Sequence, residues 1–445
     1  MSEPDPSLLL RNGNIVTPAG ITRGDVAVEG GRVVSIGQRL AGAYDVEMDL
    51  DGQYLFPGII DSHVHFNEPG RAEWEGIETG SRALAAGGGT CFFDMPLNSE
   101  PPAIDAAAFL EKKALAEARS CTDFALWGGL VPGNADKLEE LKDAGAIGLK
   151  AFLCDSGIAS FPSIDGEPLR EAMRVASQLD LLVAVHAEDE TLTARLTAEA
   201  RARRETSIRA YLDSRPIQAE VDAISRAIEY ADQTGCRLHV VHVSSWEGLA
   251  VIENAKRCGV DVTAETCPHY LLLNEADVLR LGAPAKCSPP LRNEAHRTLL
   301  WNALFGDQID TVGSDHSPSS PDLKTGEDFF ALWGGIAGIQ HGFTQLLSAT
   351  ADTLNEHWPK LAAVCSENVA RRFRLPAVKG SISEGGDADF AVLALHPPEP
   401  IRAESLVNRH PFSPYVGRSH RVRVVETFIR GKPAAAQRGQ FLRPE

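Results

Sequence analysis

Eight short runs rich in β-branched, aromatic and other apolar residues recur between positions 54 and 315, and stretches with helical periodicity separate them. The runs are 54–60, 89–95, 124–130, 148–153, 181–186, 238–243, 260–265 and 309–315; the clearest helical stretches are 103–119, 168–178, 219–233 and 247–257. Strands joined through helical crossovers lie parallel, since a tight hairpin leaves no room for a helix. Eight such repeats predict an α/β chain folded as a (β/α)8 TIM barrel over residues 56–379. The runner-up, a doubly wound open sheet, lacks its usual mark, because no Gly-x-Gly-x-x-Gly follows the first strand.

The two ends of the chain read differently. Pieces 8–10, 13–16, 25–28 and 32–36 alternate with turns and are too short to bury a core alone. Runs 387–393 and 422–429 are again strand-like, with Gly431-Lys432 as a turn. They are expected to pair across the chain into a small β-sandwich domain built from residues 1–55 plus 380–445.

Parallel barrels collect their functional groups where strands end and loops begin. Those ends carry His63 and His65 on the first strand, Lys150 on the fourth, His186 on the fifth, His242 on the sixth and Asp315 on the eighth. His63 and His65 are two apart on an extended segment and so share a face. Four imidazoles and a carboxylate at one rim suit Zn2+ or another borderline divalent ion. Strand alternation is expected to keep His239 out of the barrel if His242 enters it. Lys150 lies in the apolar run 146–152, where burial lowers an ammonium pKa. A neutral amine there can add CO2 and become an anionic carbamate that bridges two metals; equally, Lys150 can pair with a barrel acid such as Asp94 or Glu265.

A formal net charge of −18 argues against nucleic acid and anionic membrane surfaces as partners. The first six residues carry no basic segment leading into an apolar core, and no run approaches a membrane span. The eight cysteines form no Cys-x-x-Cys pair. A reduced, cytoplasmic protein is expected.

Several stretches carry a resemblance. They are 61–70 (Asp-Ser-His-Val-His-Phe-Asn-Glu-Pro-Gly), the lysine of 150–153, His186-Ala187-Glu188, His242-Val243-Ser244-Ser245, 265–270 (Glu-Thr-Cys-Pro-His-Tyr) and Ser314-Asp315-His316-Ser317-Pro318. Together they resemble the cyclic amidohydrolase superfamily, which groups dihydroorotases, hydantoinases or dihydropyrimidinases, and allantoinases. Stretches 66–71, 94–99, 286–292, 333–338 and 413–418 are similar to its allantoinase branch. The resemblance implies hydrolysis of the ring amide of allantoin to allantoate at two divalent ions, zinc first, with Co2+, Mn2+, Ni2+ or Fe2+ as other candidates. It implies His63, His65 and Asp315 on one ion, His186 and His242 on the other, and a CO2-derived carbamate on Lys150 between them. Asp315 would also act as proton shuttle, and the family suggests a homotetramer.

In the same family a dihydroorotase pattern places an Arg where this chain has Asn67, and hydantoinases place a Tyr where it has Asp155. A neutral amide cannot replace a guanidinium clamp on a carboxylate, although Arg71 or Arg292 could substitute. Asn67, Asn98, Ser288 and Ser317 suit a neutral ring rich in N–H and C=O groups, and the family adds Gly334 as a backbone contact. Hydantoinase or dihydroorotase activity is the alternative reading. A metal-free assembly protein is the remote one, since all six ligand positions are filled.

Overall fold

The computed structural model describes residues 6–445. Eight parallel strands run in chain order around a barrel: Ile59–Val64, Gly89–Asp94, Asp123–Leu126 continued by Gly128–Gly129, Leu149–Phe152, Val183–His186, Leu238–Val240, Val262–Thr266 and Thr311–Val312. Trp127 divides the third strand, so that Asp123–Leu126 pairs with the second and Gly128–Gly129 with the fourth. The ring closes where Val64 bridges His316 and the His65 N–H donates to the His316 carbonyl at 2.8 Å. Helices Ile77–Ala86, Ala106–Arg119, Gly166–Gln178, Ile217–Thr234 and Trp246–Arg257 lie among the crossovers. The last four start within three residues of the stretches read from periodicity, while Ile77–Ala86 was not among them.

Both faces of these strands are covered, which is why they read as apolar runs without alternation. Side chains such as Ile60, Phe93, Trp127, Leu182, Ala184 and Phe373 fill the interior. Phe92, Leu126, Leu149, Val183, Val185 and Val240 pack outward in the cluster that also holds residues of the surrounding helices.

The terminal segments meet in one eight-stranded sheet, ordered 432–433, 419–429, 390–400, 54–57, 8–17, 20–29 and 32–37, with 46–49 paired to 8–17. The run 54–60 is therefore two strands and not one. Tyr54–Pro57 pairs with the strands at 8–17 and 390–400, and after Gly58 the chain enters the barrel as Ile59–Val64. Gly58 is required there, because a Cβ would collide with the Thr90 side chain. Lys379 ties the sheet to the barrel floor, with Asp123, Asp387 and Asp389 carboxylates at 2.6, 2.8 and 2.7 Å. The C-terminal tail returns to the third strand, where the Leu442 N–H donates to the Phe124 carbonyl at 2.7 Å.

All eight cysteines are free. Among the described residues no helix is long and apolar enough to cross a membrane.

Candidate metal centre and substrate cavity

The strand ends converge as their order requires. His63 and His65 are almost fully buried, and the Asp315 carboxylate lies 3.2 Å from His63 Nε2 and 3.4 Å from His65 Nε2. One potential ligand atom from each of the three falls within 4.8 Å of the others. On the adjoining side the His242 ring sits 4.6 Å from His186 and 5.4 Å from His63, centroid to centroid. Lys150 is fully buried, its Nζ 4.9 Å from the Phe152 ring, which stacks on His186.

Each ring is held from behind. The Glu265 carboxylate accepts from His63 Nδ1 at 2.9 Å and from the Ser62 hydroxyl. His186 Nε2 lies 2.8 Å from Glu188, which in turn holds the Arg215 guanidinium at 2.6 Å. These carboxylates fix ring orientation and tautomer in the way outer-shell partners of ligand histidines do. Burial lowers the pKa of His65, His186 and His242, the last well below the ordinary value, so these rings are neutral near pH 7 and keep a lone pair. Burial opposes ionisation of Asp315, but His63 and His65 outweigh it and leave the carboxyl at about 2.

Lys150 makes no hydrogen bond or ion pair with an acid among the described residues. Asp94 is taken by Lys112 at 3.0 Å, and Glu265 by His63 and Ser62. Burial pulls the Lys150 pKa from 10.5 to about 7. Its Nζ and His242 Nδ1 are both buried without a hydrogen-bond partner. Unsatisfied buried polar atoms are rare and call for a reason. A divalent ion fits this one, because neutral imidazoles and an ionised carboxylate are its donors.

His239 corrects an expectation. It is register partner to Ala184, which packs inside the barrel, and it lies 2.8 Å from Thr263 Oγ1 and 3.5 Å from Glu265. His242 comes after the strand has ended, at φ 42°, and this left-handed residue breaks the alternation. Both rings therefore face inward, His239 below the cluster and His242 within it. Asp315, Asn67 and Asn98 also have positive φ, at 46°, 64° and 67°. Such strain, about 1–3 kcal/mol per residue, persists where surroundings over-determine it, and it gathers at functional sites.

A cavity of about 430 Å³ opens over the cluster, and His63, His65, His186, His242 and Asp315 form its floor. Asn98, Ser288, Ser317 and Gly334 line it, as expected from the motifs. Asn67 does not: it is fully buried, with its amide nitrogen 3.3 Å from the Pro318 carbonyl and its amide oxygen unpartnered. It shapes the wall from behind. Arg71 and Arg292 also stay out of the cavity, bonded to the Asn98 carbonyl at 2.8 Å and the Arg215 carbonyl at 2.6 Å.

Several lining groups were not read from the sequence. Tyr211 places its hydroxyl 2.7 Å from Ser288 Oγ, supplying a phenol although position 155 is an aspartate. Arg201, Arg215, Phe330 and Trp333 complete the rim. The segment carrying Trp333 and Gly334 is held by two lysines, one buried and one partly buried. Lys286 donates to the Phe330 carbonyl at 3.2 Å and to that of Leu332, and Lys324 to Trp333 and Gly335 at 3.0 and 2.6 Å. Only Glu188 had a local signal, lying two residues after His186 and hence on its side of the chain.

A barrel with this constellation at its rim defines a class, the metal-dependent hydrolases. The sequence pattern of the Amidohydrolase family matches residues 54–434, and the chain belongs to that family. It is 50% identical over 444 residues to a protein named allantoinase from Solibacter usitatus, covering 98% of this chain and 97% of that one. It is 46% identical to an allantoinase from Deinococcus radiodurans, covering 98% of each chain. Among solved structures, an L-hydantoinase (dihydropyrimidinase) from Arthrobacter aurescens superimposes with a TM-score of 0.94 at 31% identity, over 98% of this chain and 99% of that one.

Proposed function

We propose that this chain is a cyclic amidohydrolase that opens the hydantoin ring of allantoin to give allantoate. The observation that carries the chemistry is the partnerless amine of Lys150, buried beside four buried imidazoles and one carboxylate. Relatives named allantoinase, 39–50% identical over nearly the whole chain, carry the choice of substrate.

In this reading His63, His65, His186, His242 and Asp315 would hold two divalent ions. Lys150 would contribute to the same site as an anionic carbamate, which its lowered pKa favours because only the neutral amine adds CO2. Zinc suits the imidazole-rich set best. When bound, the pair of ions supplies a more acidic water and a polarised amide carbonyl. Asp315 then accepts the proton of the attacking water and delivers it to the departing ring nitrogen. Asn98, Ser288, Ser317 and the backbone at Gly334 orient the ring and the ureido arm, while Trp333 and Phe330 keep bulk water from the amide.

The same proposal keeps a small β-sandwich domain of residues 1–55 plus 380–445 beside a barrel of residues 56–379, assembled as a cytoplasmic homotetramer. A second reading, hydantoinase or dihydropyrimidinase, rests on the solved structures the chain resembles.

A hydrolysis panel of allantoin, hydantoin, dihydrouracil and dihydroorotate decides between them. Allantoin should lead in kcat/KM by at least tens-fold, on the order of 2 kcal/mol of discrimination. A panel led by hydantoin or dihydrouracil would favour the second reading.

A further inference from the structure

The antiparallel pairing of Phe390–Pro400 with Ser419–Ile429 slips in register between Leu395 and Glu399. The chain there reads His396-Pro397-Pro398, and two prolines without N–H groups cannot continue a ladder. The slip leaves His396 and Glu399 beside His420 of the neighbouring strand, with the two imidazole centroids 4.9 Å apart.

The ring tautomers follow from their partners. His396 Nδ1 lies 2.7 Å from the Pro397 carbonyl, and His420 Nδ1 lies 3.0 Å from the Glu399 carbonyl. A carbonyl can only accept, so both Nδ1 atoms carry the proton and both Nε2 atoms present a lone pair. Ligand histidines in metal sites are held in this manner, with one nitrogen donating to a carbonyl and the other free for the ion. His396 Nε2 is buried and has no hydrogen-bond partner. A potential ligand atom from each of His396, Glu399 and His420 lies within 4.8 Å of the others.

A third imidazole stands next to them. His341, at the start of helix Gly342–Ala349, has its ring 5.9 Å from that of His420, and its Nε2 is likewise buried without a partner. Burial, aided by His420, holds its pKa down at about 4, so it is neutral near pH 7. His341, Glu399 and His420 line one cavity of about 360 Å³. The cluster lies away from the barrel rim, and the hydrolytic chemistry does not use it.

We propose that His396, Glu399 and His420 form a structural site for a divalent transition ion that pins the slipped strand pair, beside His341 at the start of helix Gly342–Ala349. Two imidazoles and one carboxylate select Zn2+, Ni2+ or Cu2+ over Mg2+ and Ca2+, which take oxygen ligands.

The test uses the full-length enzyme with its catalytic centre loaded and loosely held metal removed. Calorimetric titration with Zn2+ should show one further ion per chain at micromolar affinity, and Mg2+ should show none. His396→Gln and His420→Gln should each weaken that binding by about tenfold or more while turnover stays as in the wild type. Glu399→Gln, at an exposed position, should also weaken it and serves as the variant least able to disturb folding. Cu2+ placed in the site should give a paramagnetic resonance spectrum with nitrogen couplings that simplify in His420→Gln. Absence of a further ion in the wild type, or unchanged affinity in folded Glu399→Gln and His420→Gln, overturns the proposal.

Discussion

Replacing Lys150 with methionine should stabilise the metal-free protein and, in the same molecule, abolish its capacity to hold two ions. The amine is fully buried without a hydrogen-bond partner, and its pKa falls from 10.5 to about 7 because burial penalises the charge. That depression corresponds to about 5 kcal/mol acting against the folded state at and below pH 7. The sign follows from proton uptake. Between pH 7 and 10.5 the unfolded chain binds the proton more tightly than the folded one, so stability rises with pH across that window and the penalty is gone above it.

Methionine has a similar length and shape and leaves no polar group orphaned. Lys150→Met, stripped of metal, should therefore be more stable than the stripped wild type at pH 7, by on the order of 2 to 5 kcal/mol. The difference should shrink as pH rises towards 10. Urea unfolding at several pH values measures this, and metal analysis of the untreated variant should show the paired site emptied or disordered. In Lys150→Ala a short carboxylic acid supplied with metal should restore part of the activity by standing in for the carbamate. A metal-free Lys150→Met less stable than the wild type at pH 7 would mean that the lysine is satisfied where it stands. Full metal occupancy in that variant would remove the bridging role.

Asp315→Asn should fold and keep much of its metal but lose about 10²- to 10⁴-fold in kcat, because an amide accepts no proton from water; near-normal turnover rejects the shuttle. Glu265→Gln should weaken metal affinity by about 10- to 100-fold through the loosened His63 ring, as read by competition with a chelator, and unchanged affinity would show that the contact does not orient the ligand. Asn67→Arg should destabilise the protein by on the order of 3 kcal/mol or more, since it drives a cation into a fully buried wall position. Wild-type stability together with new dihydroorotate hydrolysis would return Asn67 to the cavity.

The candidate ligand cluster was legible because it depends on strand order. Each of His63, His65, His186 and Asp315 lies at or just beyond the end of an apolar run, and a parallel barrel gathers such ends at one rim, whereas Lys150 sits within its run as the second residue of the strand Leu149–Phe152. His239 was misread because the alternation argument assumes that the strand continues, whereas it stops at Val240 and His242 sits in a left-handed turn. The break at Gly58 was hidden by the unbroken apolar character of 54–60, which suits a strand in either sheet. Tyr211, Arg215 and Trp333 were invisible for another reason. They reach the cavity from long crossover segments whose path depends on packing, as in the pinning of the Trp333 segment by Lys286 and Lys324, and no local periodicity records it.

The switch at Gly58 also bears on how the chain is made. The first candidate ligand pair, His63 and His65, lies on a strand that continues directly from Tyr54–Pro57, and that segment is sandwiched between residues 8–17 and 390–400. On the ribosome the early half of this neighbourhood emerges long before the strand at 390–400, by tens of seconds at about 5–20 residues per second. Until then Tyr54–Pro57 has an open edge, and Asp315 has joined the first two histidines only partway through synthesis. A nascent chain therefore carries this histidine pair on a strand whose leading segment is paired on one side only until the last strands leave the exit tunnel. Truncation from the C-terminus should accordingly cost metal retention well before it reaches any ligand.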